Sequence, residues 1–139
     1  MRGRERVPTN PTLTLTIPGE PRGKGRPRFT RSGHAYTDAA TREYENHVAQ
    51  CVAQAMRYED GPFPLACPLV LNAVFYMPER KRPKFPVPAV RPDLDNLVKS
   101  LLDGMELARL FVSDALIVEL NAWKLYSPTP GVIVRVWER

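Results

Sequence analysis

A chain of 139 residues, 43% hydrophobic and 25% charged, can bury one globular core without disulfides or a structural metal to close it. Its 20 basic residues outnumber 15 acidic ones, and the formal net charge of +5 favours a polyanionic partner such as nucleic acid. No apolar run reaches bilayer length and no secretory leader is visible, which excludes a membrane partner and leads us to expect a cytoplasmic protein.

The first eleven residues are expected to form a flexible lead-in, and residues 12–139 a single domain. "TLTLTIPG" (Thr12 to Gly19) alternates at period two, with Leu13, Leu15 and Ile17 on one face, and predicts a strand ending at Pro-Gly. The next stretch, "EPRGKGRPRFTRSGHAY", is a loop broken by glycine and proline and rich in Arg22, Lys24, Arg26, Arg28 and Arg31. It is not a nucleotide-binding P-loop: Gly19 precedes Gly23-Lys24 by the wrong spacing, and Gly25 stands where the magnesium-binding hydroxyl belongs. "KGRPR" in one copy beside a strand is poor support for an AT-hook. Its physical content is charge and backbone access, with glycines letting the chain approach a phosphate and the cations neutralising it. Phe29 and Tyr36 either stack on bases or anchor this loop.

Thr37 as N-cap, with Asp38 in the first turn, opens a helix on which Tyr44, Val48, Val52 and Met56 recur every four residues until Gly61-Pro62. His34 and His47 have no partner at ligand spacing and read as surface or cap residues. Cys51 and Cys67 have neither metal nor disulfide-framework spacing and read as small buried hydrophobes in a reducing compartment. "PLVLNAVFYM" (Pro68 to Met77) predicts a strand. Pro78 to Pro92 is then a long proline-rich loop carrying Arg80, Lys81, Arg82, Lys84 and Arg91, a length that is often functional.

A second helix begins near Asp93, with Leu94, Leu97, Val98, Leu101, Leu102 and Met105 as its apolar stripe. "ALIVELNAWKLY" and "GVIVRVWER" predict two strands joined as a C-terminal hairpin by "SPTPG". The order β-α-β-α-β-β implies a single-domain α+β fold with two helices packed on one mixed β-sheet.

The chemistry concentrates in "RPDLDNLVKSLLDG". Asp93 after Pro92 suits an N-cap, first-turn acids complement the helix dipole, and Asp95 with Lys99 is spaced as an i,i+4 ion pair. Capping does not explain why a cationic loop runs straight into these acids, or why Asp114 follows at the start of the next strand. If that strand lies antiparallel to the helix, Asp114 is expected to return to the end holding Asp93 and Asp95. Three carboxylates beside a phosphate-binding surface suit a hard divalent ion, with Lys99 supplying an ammonium near developing charge. Asp103 lies on the face of Asp95 and Lys99 and is either a supporting acid or a surface one.

"DLDNLVKSLLDGM" followed by "FVSDALIVELNAWKLY" resembles the RusA-type Holliday junction resolvases, and "IPGEPRGKGRPRFTRSGHAYT" looks like their phage-borne branch. The likeness runs from about Leu13 to Val136. It implies a RusA-like fold, metal-binding catalytic roles for Asp93, Asp95 and Asp114, and an essential catalytic Lys99. It also implies a homodimer that cuts two strands of a four-way DNA junction symmetrically with Mg2+ or Mn2+, in recombination and repair, with no small-molecule cofactor. Such a protein would work in a bacterial cytoplasm, encoded by the bacterium or by a phage. Ser113 stands where many relatives carry a second acid, and Leu116 replaces a polar residue. Two other readings of the same residues are a non-catalytic DNA-binding phage protein and a flap or fork nuclease.

Overall fold

A computed structural model describes residues 10–139; the first nine residues of the expected lead-in lie outside the described residues. The elements are β1 (Leu13–Pro18), β2 (Arg28–Phe29), β3 (Ala35–Tyr36), α1 (Ala39–Met56), β4 (Leu69–Pro78), α2 (Leu94–Leu107), β5 (Ile117–Ser127) and β6 (Gly131–Glu138). A single 3-10 turn, Asp114–Leu116, leads into β5. The main sheet is mixed, in the order β1-β6-β4-β5, and β2 with β3 forms a separate small hairpin inside the basic loop. The expected α+β architecture of two helices on one mixed sheet is therefore present.

Alternation builds the buried face. Leu13, Leu15 and Ile17 of β1 point inward while the threonines between them face solvent. Leu71, Ala73, Phe75 and Met77 of β4 and Val132, Val134 and Val136 of β6 continue the same surface. Leu97, Leu101 and Met105 of α2, with Tyr44, Val48 and Val52 of α1, cover it. Each large apolar side chain so buried contributes about 1.5–3 kcal/mol. The two helices meet at Gly104, where a Cβ would fall 2.6 Å from the Val48 side chain. α1 starts from Asp38 rather than Thr37 and ends at Met56, before Gly61-Pro62. Cys51 and Cys67 are free thiols and only half-buried, not fully buried as expected.

The expected C-terminal hairpin does not form. β5 runs parallel to β4, β6 runs antiparallel to β4, and β4 lies between them. The turn at Pro128–Pro130 therefore spans two strand spacings, about 10 Å, across the end of β4. The physical reason is that β4, almost continuously apolar, takes hydrogen-bonding neighbours on both edges. Parallel pairing of β4 with β5 requires a crossover, and α2 is that crossover.

Candidate functional site

α2 begins after Pro92 with Asp93 in extended geometry (φ −67, ψ 146) at the N-cap position. Its side chain makes no cap hydrogen bond. Asp95 lies in the first turn, and Asp93, Asp95 and Lys99 are all exposed. Among the described residues the side-chain ion pairs are Lys24–Glu45 and Lys24–Asp103, so the Asp95–Lys99 pair allowed by spacing is not made. Neither ordinary use of these acids, capping or pairing, occupies them. The positive end of the helix dipole favours anions at this position.

This helix start is held firmly from below. The Lys124 ammonium, reaching from β5, donates to the carbonyls of Val90 (2.8 Å) and Pro92 (3.0 Å), immediately before Asp93. The Ser100 hydroxyl donates to the Arg22 carbonyl at 2.6 Å, and the Lys24 amide donates to the Asn96 carbonyl at 3.0 Å. Gly23 packs where a Cβ would lie 3.1 Å from Pro92 and 3.3 Å from Asn96. At Gly25 a Cβ would lie 2.7 Å from the Asp38 carboxylate. Gly23 and Gly25 of the basic loop are thus consumed by contacts within the protein, where phosphate approach was expected.

Lys24 likewise differs from its expected role as a DNA contact. Its ammonium sits 2.6 Å from Glu45 and 2.8 Å from Asp103, tying the basic loop to α1 and α2. Partial burial pulls its pKa down, but the hydrogen bonds and charges of the two carboxylates outweigh that and raise it above the ordinary lysine value. Asp103 is therefore the partner of Lys24 and not a free acid. Lys124 escaped the sequence reading; its only signal there is a charge at a strand position where the core-facing alternation calls for an apolar residue.

A cleft of about 420 Å³ opens between Arg26, Arg91, Asp93 and Asn96. The basic loop and the acidic helix start thus share one recess. Arg22, Arg28, Arg31, Arg80, Lys81, Arg82 and Lys84 are exposed on the two loops, and the Lys84 ammonium lies 5.6 Å from the Phe85 ring centroid. Phe29 and Tyr36 stand exposed on the β2–β3 hairpin, so they do not anchor the loop. A larger recess of about 650 Å³ lies between Tyr36 and α1 and holds His47, whose ring Nε2 is 2.6 Å from the Pro18 carbonyl. His34 is exposed on the hairpin loop.

Asp114 is not with Asp93 and Asp95. Its amide donates to the Glu106 carboxylate at 2.8 Å, near the C-terminal end of α2. Asp95 and Glu106 are separated by about 16 Å of helix rise. No three His, Cys, Asp or Glu side chains of one chain form a metal-sized group among the described residues. β5 does run back toward Asp93, as Lys124 proves by its bonds to Val90 and Pro92. An antiparallel neighbour, however, begins where the helix ends, so its first residues lie farthest from the helix start.

The turn that places Asp114 is well defined. α2 closes with Arg109 in the left-handed region (φ 61), its amide bonded to the Glu106 carbonyl and the Leu110 amide to the Met105 carbonyl. Ser113 accepts the Ala115 amide at 3.1 Å and caps the short turn. Leu116 packs against the core.

The arrangement defines a class: a small α+β protein that offers uncommitted carboxylate oxygens and exposed cations to a polyanion. A family model described as "Endodeoxyribonuclease RusA" matches residues 18–137, and the chain belongs to this family of nucleases. It is 29% identical to the crossover junction endodeoxyribonuclease RusA of Escherichia coli K12, over 82% of this chain and 83% of that protein. It is also 29% identical to the uncharacterized protein YqaN of Bacillus subtilis strain 168, over 91% of this chain and 96% of that one. No helix among the described residues is long and apolar enough to cross a membrane.

Proposed function

We propose that this protein cuts four-way DNA junctions by symmetric, metal-dependent phosphodiester hydrolysis in recombination and repair. Asp93 and Asp95 would hold Mg2+ or Mn2+ together with Asp114 of the partner subunit in a homodimer. The observation that carries the reading is the pair of exposed aspartates at the start of α2, free of cap bonds and ion pairs, with Asp93 lining the cleft that also holds Arg26 and Arg91. An oxygen-only donor set fits a hard divalent cation, which shares its coordination between carboxylates and substrate phosphate. When bound, that ion would lower the pKa of water and offset charge on the reacting oxygens.

The remaining steps belong to side chains. Arg26 and Arg91 grip the scissile strand beside the acids. Lys99, one helical turn inward, faces charge developing on the phosphate. Arg22, Arg28, Arg31 and the cations of residues 80–84 hold the flanking duplex arms, and Phe29 and Tyr36 stack on unpaired bases at the branch point. Lys24 is left out of this set by its two internal carboxylates. Asp114 enters from a second copy because its own chain keeps it at the far end of α2. A two-fold dimer offers one such site to each of two equivalent strands.

The test is an end-labelled synthetic four-way junction incubated with Mg2+, with Mn2+ and with chelator. Paired cuts at symmetric positions, seen only with metal, are expected. Binding without cutting at any metal concentration would make the protein a DNA-binding factor. Faster cutting of flaps or forks at equal salt would make it a nuclease of those structures.

A further inference from the structure

The strap that leads into α2 has few bonds to the rest of the protein. Residues 79–92 form no helix or strand, and Pro83, Pro86, Pro88 and Pro92 have no amide to donate. Among the described residues, their backbone makes one internal hydrogen bond, from the Ala89 amide to the Val87 carbonyl at 2.8 Å. The two hydrogen bonds that tie them to another segment both come from the Lys124 ammonium, to the Val90 and Pro92 carbonyls. Arg91 and Pro92 line both the cleft that holds Asp93 and a smaller recess of about 160 Å³ beside Tyr126. A segment bordered by two recesses depends on its hydrogen bonds for its place.

Lys124 stands where it can supply them. In register with the fully buried Phe75, it shares the face of β5 on which Leu120 and Ala122 lie beside the core-facing Leu71 and Ala73. A half-buried ammonium needs acceptors, and among the described residues Lys124 has no carboxylate partner. Backbone carbonyls take that role. The Val90 carbonyl belongs to the peptide unit entering Arg91, and the Pro92 carbonyl to the one entering Asp93. One ammonium thus orients the two peptide units that carry a cation and an acid of the same cleft. The Asp93 side chain makes no cap bond of its own, so the placing of its carboxylate falls to its backbone.

We propose that Lys124 is a positioning residue for the reaction: touching neither metal nor DNA, it holds Asp93 and Arg91 at one fixed spacing, so that metal and phosphate are met together. The inference rests on the proposed function for what Asp93 and Arg91 do, and on the two hydrogen bonds for what holds them. Removing a support of this kind from behind a metal ligand costs about 10–100-fold in metal affinity or activity.

The test measures single-turnover junction cleavage against Mg2+ concentration for the wild type, Lys124→Met and Asp93→Asn. Lys124→Met is expected to need roughly 10–100-fold more Mg2+ for its half-maximal rate and to recover at excess metal. Loss of folded protein would instead lower the amplitude and leave that midpoint in place. Should Lys124→Met fail to fold, Lys124→Gln, whose side chain is shorter and uncharged, carries the same test. A second readout needs neither metal nor DNA. Amide hydrogen exchange at Ala89 and at Leu97, which donates to the Asp93 carbonyl at 3.1 Å, is expected to quicken in the variant while the paired strands β1 and β6 stay protected. A metal midpoint equal to that of the wild type, with Asp93→Asn inactive, overturns the inference and leaves the proposed function standing. Unchanged exchange at both amides overturns it as well. If Asp93→Asn cuts like the wild type, the proposed function falls, and Lys124 is left as an anchor of the strap with no part in the reaction.

Discussion

The two ends of α2 are built from different materials. The N-terminal end is held by other segments: the Lys124 ammonium on the Val90 and Pro92 carbonyls, and the Lys24 amide on the Asn96 carbonyl. The C-terminal end is closed within its own segment, by the left-handed turn at Arg109 and by the Ser113 hydroxyl and Glu106 carboxylate, which accept the amides of Ala115 and Asp114. The first arrangement leaves Asp93 and Asp95 unpaired, with Asp93 lining the cleft beside Arg26 and Arg91; the second fixes Asp114 beside Glu106. In the proposed mechanism each end would carry a part of a metal site, and neither a whole one. A helix whose termini displayed complementary parts of one site would make activity depend on assembly.

The largest effect should come from removing charge at either end. Asp95→Asn and Asp114→Asn are each expected to lower single-turnover junction cleavage by roughly 10³-fold or more, since loss of a metal ligand costs several kcal/mol and each 1.4 kcal/mol is tenfold. Junction binding, followed by gel shift without metal, should be equal or tighter for Asp95→Asn, because a negative charge beside the phosphates is gone. Cleavage at the normal rate by the Asp114 variant would reduce the C-terminal end to a structural turn and break the comparison.

The helix start was legible in the sequence because its signals are local. Proline, alternating acids, a lysine one turn on and an apolar stripe all follow the helical repeat, and the structure puts them where the repeat says. The position of Asp114 was not legible, because it depends on which way β5 runs relative to α2 and on how far along β5 the two ends come level. The same non-local question hid the insertion of β4 between β5 and β6, since neighbours in sequence with a turn between them look like a hairpin whatever the sheet order. Lys24 was misread for a third reason. Its run of neighbours is cationic, and nothing local reveals that Glu45 and Asp103, brought in by two different helices, neutralise it.

A smaller effect is expected at Lys24. Lys24→Met should destabilise the protein by about 1–2 kcal/mol in denaturant unfolding, by leaving Glu45 and Asp103 without their partner in a partly buried place. The raised pKa gives the sign of the pH dependence. The folded state holds the Lys24 proton more tightly than the unfolded chain, so this stabilisation is full below the ordinary value of 10.5 and is lost as pH rises through the folded value. The difference between wild-type and variant stabilities should therefore be flat through neutrality and shrink in strong alkali. A difference that grows with pH would mean that Lys24 is not held by the two carboxylates. Because the lysine is engaged internally, the variant should also retain the salt dependence of junction binding, whereas Arg28→Ala should lower the slope by about one.

The smallest effect tests the other end. Arg109 adopts φ 61, where a residue with a Cβ is strained by about 1–2 kcal/mol and glycine is not. Glycine gains back some entropy in the unfolded chain, so the net result for Arg109→Gly should be a stabilisation of about 0.5–1 kcal/mol. Chemical denaturation measures this, with an unchanged slope showing that the unfolded state is equally exposed. If the variant is instead less stable, the Arg109 side chain contributes something that backbone geometry does not account for. The C-terminal end of α2 would then depend on contacts from outside its own segment, as the N-terminal end does.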